Sequence, residues 1–215
     1  MADTSSQDGE LGRRLESGDE KALAALFSRH RERLWRVVNF RLHRKLQGRI
    51  GPDDVLQEAY LAAAQRIGHY DGSSPMSPFV WLRLIVQQTL IDVHRRHLGA
   101  QKRDAGRETS VHGQEYSQAT SISLAVQLIG SLTSPSQAAQ RAEMLSLMKE
   151  SIASMDPIDQ EALALRHFEE LTNSEVAEVL GIQQKAASIR YVRALRRLKE
   201  ILAQFPGLGD ELIHG

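Results

Sequence analysis

The chain has no cysteine and little proline, glycine or aromatic residue. Its 215 residues include 15 Gly and 6 Pro, and aromatic residues make up 5% of the total. The lack of cysteine excludes disulfides, cysteine-ligated zinc or iron–sulfur sites and thiol catalysis, and it fits a reducing compartment. Turn-forming residues are sparse while Ala, Leu, Arg, Glu and Gln are abundant. We therefore expect an all-α protein rather than a β-sandwich or barrel.

Long hydrophobic runs are also missing from the sequence. The N-terminal segment MADTSSQDGELG is polar and acidic, and no apolar run approaches the roughly 18 residues that a membrane-spanning helix needs. We expect a cytoplasmic protein with no membrane insertion.

The formal net charge is zero, from 27 basic and 27 acidic residues, which by itself disfavours a nucleic-acid partner. The charges are nevertheless segregated along the chain. Residues 1–20 carry six acids against two arginines, whereas residues 29–49 carry eight basic residues against Glu32 alone. Residues 184–200 carry six basic residues against Glu200 alone. Basic patches of this kind can contact phosphates.

Apolar residues recur at helical spacing in several segments, which predicts two helical domains joined by a linker. The predicted helices cover about 17–45, 52–67, 79–98, 137–155, 157–169, 172–181 and 184–202. The predicted organisation is an acidic tail (1–17), a first domain (18–98), a linker (99–137), a second domain (138–203) and a C-terminal tail (204–215). The linker is not purely polar, and its residues from Ile122 to Leu132 could form a short docking helix.

The last two helices have the pattern of a helix-turn-helix unit. Thr172 and Glu175 form a capping-box pattern, and Gly181 stands where a left-handed residue ends the first helix. The longer helix that follows is basic. At about 100° per residue, Ala187 and Ala194 fall on a core side and Lys185, Ile189, Val192, Arg193 and Arg196 fall on the opposite side, with Ser188 and Arg190 at its margins. Such a face can reach bases and phosphates, although a solvated basic helix has the same pattern.

The helix predicted over 79–98 carries an indole among polar and basic residues. Trp81, Gln88, Arg95 and Arg96 lie away from the core stripe that begins at Phe79. This combination suits base stacking on single-stranded nucleic acid, and packing of Trp81 against a neighbouring helix is the alternative.

No residue pattern in the sequence indicates catalysis, a cofactor or a metal. His94 and His97 are three residues apart, but Arg95 and Arg96 between them would repel a cation and no third ligand is evident. The sequence contains no glycine-rich phosphate loop and no nucleophile elbow. We expect a protein that is not an enzyme, with no catalytic residues and no cofactor.

Several segments together resemble a known family. The segments Asp53–Leu61 (DDVLQEAYL), Phe79–Leu82 (FVWL) and Asp92–Arg96 (DVHRR) are similar to the second conserved region of bacterial extracytoplasmic-function (ECF) sigma factors, within the sigma-70 superfamily. The segments Pro157–Arg166, Leu171–Ile182 and Arg190–Leu198 resemble the fourth region of the same family.

The resemblance implies a role for each surface. It implies contact with core RNA polymerase for Asp54, Gln57, Glu58 and Leu61. It implies contact with the melted minus-ten element for Trp81, Gln88, Arg95 and Arg96. It implies contact with the minus-thirty-five duplex for Lys185, Ser188, Ile189, Arg190, Arg193 and Arg196.

The sequence therefore predicts a two-domain transcription initiation factor. Its expected partners are core RNA polymerase, promoter DNA and an anti-sigma factor or other regulator, the last from the resemblance alone. A stand-alone helix-turn-helix regulator that binds duplex DNA without polymerase is the main alternative, and a helical adaptor with no nucleic-acid role is another.

Overall fold

The computed structural model describes residues 2–43, 46–73, 76–98, 112–130 and 138–204. Within these ranges every regular element is helical, which confirms the predicted all-α class. The chain divides into two compact units, unit 1 over Met1–Arg107 and unit 2 over Glu108–Gly215. None of the helices in the described ranges is long and apolar enough to cross a membrane.

The described residues of unit 1 form four α-helices. They are α1 (Ala2–Glu16), α2 (Glu20–Arg41), α3 (Pro52–Arg66) and α4 (Pro78–Leu98), with a 3-10 turn at Ile67–His69. Helices α2, α3 and α4 pack on one another around a core of fully buried aliphatic side chains. This core includes Leu23, Leu34, Val38, Val55, Val80 and Val86. The predicted second and third helices agree with α3 and α4 to within a residue at most boundaries.

The N-terminal segment, expected to be an acidic tail, contains helix α1, which packs on α2 and α4. Leu15 is fully buried, and Asp8 Oδ2 lies 2.9 Å from Nε2 of the buried His30. A Cβ at Gly12 would lie 2.9 Å from Pro78 Cγ, so this glycine allows a close approach to the start of α4. The acidic composition thus concealed a helix whose docking depends on tertiary contacts.

Helix α2 is shorter than the predicted 17–45 at both ends, and Asp19 is its N-cap. Asp19 Oδ1 accepts hydrogen bonds from the backbone N–H groups of Lys21 (2.9 Å) and Ala22 (3.3 Å), as an N-cap does. Arg14 Nη2 donates to Asp19 at 2.7 Å. That hydrogen bond and the capped N–H groups hold the pKa of Asp19 below its ordinary value.

Unit 2 contains five α-helices in its described ranges. They are α5 (His112–Gly130), α6 (Ala138–Ala153), α7 (Pro157–Leu163), α8 (Asn173–Leu180) and α9 (Gln184–Leu202). Helix α7 continues into a π-helical turn at Ala164–Phe168, where the Glu169 N–H donates to the Ala164 carbonyl at 3.0 Å.

Helix α5 occupies part of the segment that the sequence assigned to a linker. It packs on α6 and α7, and Leu124, Ala125, Leu128 and Ile129 are buried. Thr120 donates a 3.0 Å hydrogen bond to Glu161, and Ser121 donates one of 2.5 Å to Gln160. The docking helix that the sequence left open is therefore present and begins earlier than Ile122. Residues 99–111 and 131–137 of the expected linker, and 205–215 of the expected C-terminal tail, lie outside the described residues.

Helices α8 and α9 form the predicted helix-turn-helix arrangement. Thr172 Oγ1 accepts from the Glu175 N–H at 3.2 Å while Glu175 Oε2 accepts from the Thr172 N–H at 2.7 Å, so the capping box is formed. Gly181 has φ 63° and ψ 35°, the left-handed conformation that the sequence predicted. These local signals fix the sharp turn that presents α9.

Candidate functional site

The first candidate surface lies on α3. Val55, Leu56, Ala59 and Ala63 are buried, whereas Asp54, Gln57, Glu58 and Leu61 are exposed. The exposed four are spaced three and four residues apart, which places them on one face of the helix. Leu61 is 61% exposed. The structure thus brings together the four residues predicted to contact polymerase, as an acidic face around one accessible leucine.

Two of these carboxylates also have partners within unit 1. Asp54 Oδ2 accepts from the Gly51 N–H at 2.7 Å, which caps the first turn of α3. Glu58 forms an ion pair with Arg96 on α4. Arg96 belongs to the residues predicted to bind the minus-ten element, so this exposed ion pair joins the two candidate surfaces of unit 1.

The second candidate surface follows α4. Trp81 is half-buried, and its ring meets Tyr70 edge to face with centroids 5.1 Å apart. It lines a surface hollow of about 380 Å³ together with Arg66, Leu84, Ile85, Gln87, Gln88 and Ile91. Ile85, about one helical turn after Trp81, is only 5% exposed. The indole therefore has one packed edge and one edge open to the hollow.

The polar part of this surface lies toward the C-terminal end of α4. Gln88 Nε2 donates to Asp92 Oδ1 at 3.2 Å, and the Arg95 and Arg96 side chains are exposed. His94, between Asp92 and Arg95, points the other way and accepts a 3.3 Å hydrogen bond from the His43 backbone N–H at Nε2. Burial, with a smaller contribution from His43, lowers the pKa of His94. His94 therefore contributes to the packing of unit 1 and not to the basic surface.

The third candidate surface is α9. Ala187 and Ala194 are buried as predicted, Leu198 is buried beside them, and Tyr191 is half-buried. On the opposite side Lys185 and Arg196 are exposed, as are Ile189 and Val192, at 57% and 55%. Ser188 is half-buried and bonded to Asn173 of α8.

Arg190 and Arg193 lie at the flank of α9 that faces α7, and both contact acids there. Arg190 Nη1 donates to Asp159 Oδ1 at 2.9 Å, and Arg193 Nη2 donates to the same oxygen at 2.8 Å. Arg193 Nε also donates to Asp159 Oδ2. Asp156 lies 3.4 Å from Arg190 and 3.8 Å from Arg193. We call these four residues the α7–α9 ion cluster.

No sequence pattern pointed to Asp159, which lies at the centre of the ion cluster. It is 4% exposed. Burial alone would raise the pKa of Asp159, but the hydrogen bonds and charges of Arg193 and Arg190 outweigh burial and lower it. Asp156 accepts from the Ile158 N–H at 2.9 Å and is the N-cap of α7. Asp159 lies in the first turn of α7. An acid at that position is common because it interacts favourably with the helix dipole, so the sequence alone indicates no further role for it.

Among the residues that the structure describes, no three His, Asp or Glu side chains are grouped so as to hold a metal ion.

The model of the ECF sigma factor family matches residues 10–202 of this chain. The chain belongs to the ECF sigma factor family. The match covers both candidate surfaces of unit 1 and all of α9. The protein is therefore an RNA polymerase sigma factor of the ECF type. Its partners are core RNA polymerase and promoter DNA.

Individual relatives agree with the family match. The sigma factor is 24% identical over 200 residues to the RNA polymerase sigma-H factor of Pseudomonas aeruginosa, covering 93% of this chain and 95% of the relative. It is 27% identical over 193 residues to the RNA polymerase sigma factor CarQ of Myxococcus xanthus, covering 89% of this chain and 95% of the relative.

A solved structure supports the fold. The sigma factor resembles CnrH, solved in complex with the cytosolic domain of CnrY, with a TM-score of 0.51 and 22% identity. The match covers 93% of this chain and 99% of CnrH. At this identity the likeness supports the all-α fold alone.

Proposed function

We propose that the two units divide the work of promoter recognition between them. Unit 1 holds core polymerase through the α3 face of Asp54, Gln57, Glu58 and Leu61, and it engages the melted minus-ten strand through α4. Unit 2 places the outward side of α9 in the major groove of the minus-thirty-five duplex. The protein acts by binding in the cytoplasm and catalyses no reaction.

The observation that carries the polymerase surface is the exposure of Leu61. An aliphatic side chain that is 61% exposed at the centre of an acidic face suits a protein contact, because it can be buried while the surrounding carboxylates meet basic groups of the partner. A surface that served only to keep the protein in solution would not need this leucine.

The minus-ten assignment is supported by the environment of Trp81. Its edge-to-face contact with Tyr70 fixes one side of the ring, and the hollow beside it leaves space for an unstacked base. Gln88, Arg95 and Arg96 follow along the same helix, where they can reach the strand's phosphates.

A paired variant tests the polymerase surface. Glu58→Lys combined with Leu61→Ala removes the leucine and inverts one charge, while Asp54 stays in place to cap α3. Loss of a buried leucine side chain costs about 1.5 to 3 kcal/mol, so affinity for core polymerase should fall at least about ten-fold. Fluorescence anisotropy of labelled full-length protein titrated with core polymerase measures this affinity.

The matched control is Glu20→Lys, which inverts an exposed charge at the start of α2 outside the proposed surface. It should leave the affinity unchanged. Undiminished binding by the Glu58→Lys, Leu61→Ala variant, with its circular dichroism unchanged, would show that α3 is not the polymerase surface.

Run-off transcription from pooled genomic fragments tests initiation itself. Core polymerase should give new transcripts only when the protein is added. If the protein instead binds duplex operators without polymerase and yields no transcript, the stand-alone regulator becomes the better description.

A further inference from the structure

The outward side of α9 combines two aliphatic side chains with basic ones. At about 100° per residue, Lys185, Ile189, Val192 and Arg196 fall within roughly 60° of one another and opposite the buried Ala187, Ala194 and Leu198. We call these four residues the outward strip. Ile189 and Val192 are 57% and 55% exposed, so neither belongs to the core of unit 2.

Two of the four arginines of α9 are bound to acids of α7. Arg190 and Arg193 donate to Asp159 and lie near Asp156. The two acids balance the two guanidinium charges, and Asp159 is buried. To form a bidentate contact with guanine, either arginine would have to give up its hydrogen bonds to the buried Asp159 and leave that carboxylate with a single guanidinium partner, which is costly. The ion cluster therefore holds both side chains toward α7.

The remaining outward side chains suit a particular feature of duplex DNA. The thymine C5-methyl is the apolar group that the major groove presents at a base edge, and aliphatic side chains contact it. Lys185 and Arg196 flank Ile189 and Val192 along the strip, and Lys199 is exposed about two turns beyond Val192. Their charges complement phosphates on either side of a base contact.

We propose that Ile189 and Val192 are specificity-determining residues that read thymine methyl groups in the minus-thirty-five duplex. Lys185 and Arg196 contact the backbone, and Asp159 is a positioning residue that keeps Arg190 and Arg193 out of the groove. This assignment rests on the proposed function of unit 2 and names the chemistry that its recognition helix reads.

Methyl-group replacement in the DNA tests the proposal. Sequences bound by the holoenzyme, formed from core polymerase and the full chain, are first enriched from duplexes randomised in the upstream element. Each thymine of the enriched element is then replaced by deoxyuridine, which removes only the methyl group. With the wild-type protein, replacement at one or two positions should weaken binding about four-fold each, the effect of one buried methyl-sized group.

Protein variants assign each methyl to its side chain. Ile189→Ala and Val192→Ala should each weaken binding to the duplex that contains thymine. Each variant should also become insensitive to deoxyuridine at one position, the position whose methyl group the missing side chain contacts. Leu195→Ala is the matched control, because Leu195 is an aliphatic residue of the same helix that lies beside the outward strip and is 36% exposed. It should keep the full wild-type response.

The outcomes separate this proposal from the function on which it rests. Enriched sequences that bind equally well with deoxyuridine overturn methyl reading and leave the proposed function of unit 2 standing. Unchanged promoter binding by Ile189→Ala and Val192→Ala, with loss of binding to another protein, assigns the strip to a protein partner and overturns the proposal. Loss of base preference in Arg193→Ala overturns the role of Asp159. Failure of the holoenzyme to enrich any sequence overturns both the proposal and the proposed function.

Discussion

Replacing Asp159 with alanine should loosen unit 2 by removing the centre of the α7–α9 ion cluster. Breaking a fully buried ion pair costs about 3 to 5 kcal/mol, whereas exposed pairs contribute about 0 to 1 kcal/mol. Asp159 is 4% exposed, but the Arg190 and Arg193 side chains are 27% and 54% exposed and can be solvated once the acid is gone. We therefore expect an intermediate loss of about 2 kcal/mol.

Hydrogen exchange measured by mass spectrometry resolves the effect by region. A loss of about 2 kcal/mol corresponds to roughly thirty-fold faster exchange through opening of unit 2, seen in peptides from α7 and α9. Both tryptophans, Trp35 and Trp81, lie in unit 1. The denaturant transition of tryptophan fluorescence should therefore stay where it is in the wild-type protein, as an internal control.

Glu143→Ala, which removes an exposed acid from α6, should leave exchange in α7 and α9 unchanged. If Asp159→Ala also leaves it unchanged, the ion cluster does not stabilise unit 2 and the reasoning is wrong. A pH series adds a second check. The folded-state pKa of Asp159 is lowered, so its contribution is present above about pH 4 and is lost as the pH falls further. The alanine variant should lack this part of the acid sensitivity.

Three further predictions concern single residues. Gly181→Ala should lower the melting temperature of unit 2, because a non-glycine residue in the left-handed conformation costs about 1 to 2 kcal/mol. Calorimetry of the full chain measures this melting temperature, and an unchanged transition would contradict the turn geometry. Unit 1 should lose stability as the pH drops below about 6.5, because the pKa of His94 is lowered in the folded protein and the unfolded chain therefore binds the proton first. Urea titrations monitored by tryptophan fluorescence should show a weaker pH dependence of stability in His94→Gln. Thr172→Ala should cost about 1 kcal/mol through loss of the N-cap, detectable as faster exchange at the start of α8.

Features encoded by neighbouring residues could be predicted from the sequence. The Thr172–Glu175 capping box and the left-handed Gly181 depend on residues only a few positions apart, so the composition of the segment determines them. The buried and exposed sides of α3 follow in the same way from helical periodicity. This is why the exposed face around Leu61 agrees with the prediction residue by residue.

Features that depend on distant contacts could not be predicted. Helix α1 docks through Leu15 and through the Asp8–His30 contact, which joins residues 22 positions apart. Its acidic composition gave no sign of that partner. Ile85 lies about one turn after Trp81 on α4 and is only 5% exposed, which helical periodicity alone does not indicate.

The ion cluster shows the same limit at the candidate site. Arg190 and Arg193 look like DNA contacts when α9 is read alone. Their acid lies 31 and 34 positions earlier in the chain, and only the packing of α7 against α9 brings it within hydrogen-bonding distance. Sequence reasoning could identify the exposed basic side of α9 but not which of its arginines are held by acids on another helix.

The internal neutralisation of these two arginines has a consequence for binding to unrelated DNA. Affinity for DNA of any sequence depends on the release of counterions from phosphates. A plot of the logarithm of the binding constant against the logarithm of the salt concentration has a slope of about −0.9 for each phosphate contacted. A guanidinium already bound to Asp159 releases no counterion. DNA binding through α9 should therefore depend only weakly on salt concentration, although the helix has six basic residues between 184 and 200. We therefore expect the internal ion pairs to weaken binding to unrelated DNA more than binding to polymerase, whose proposed surface lies on α3.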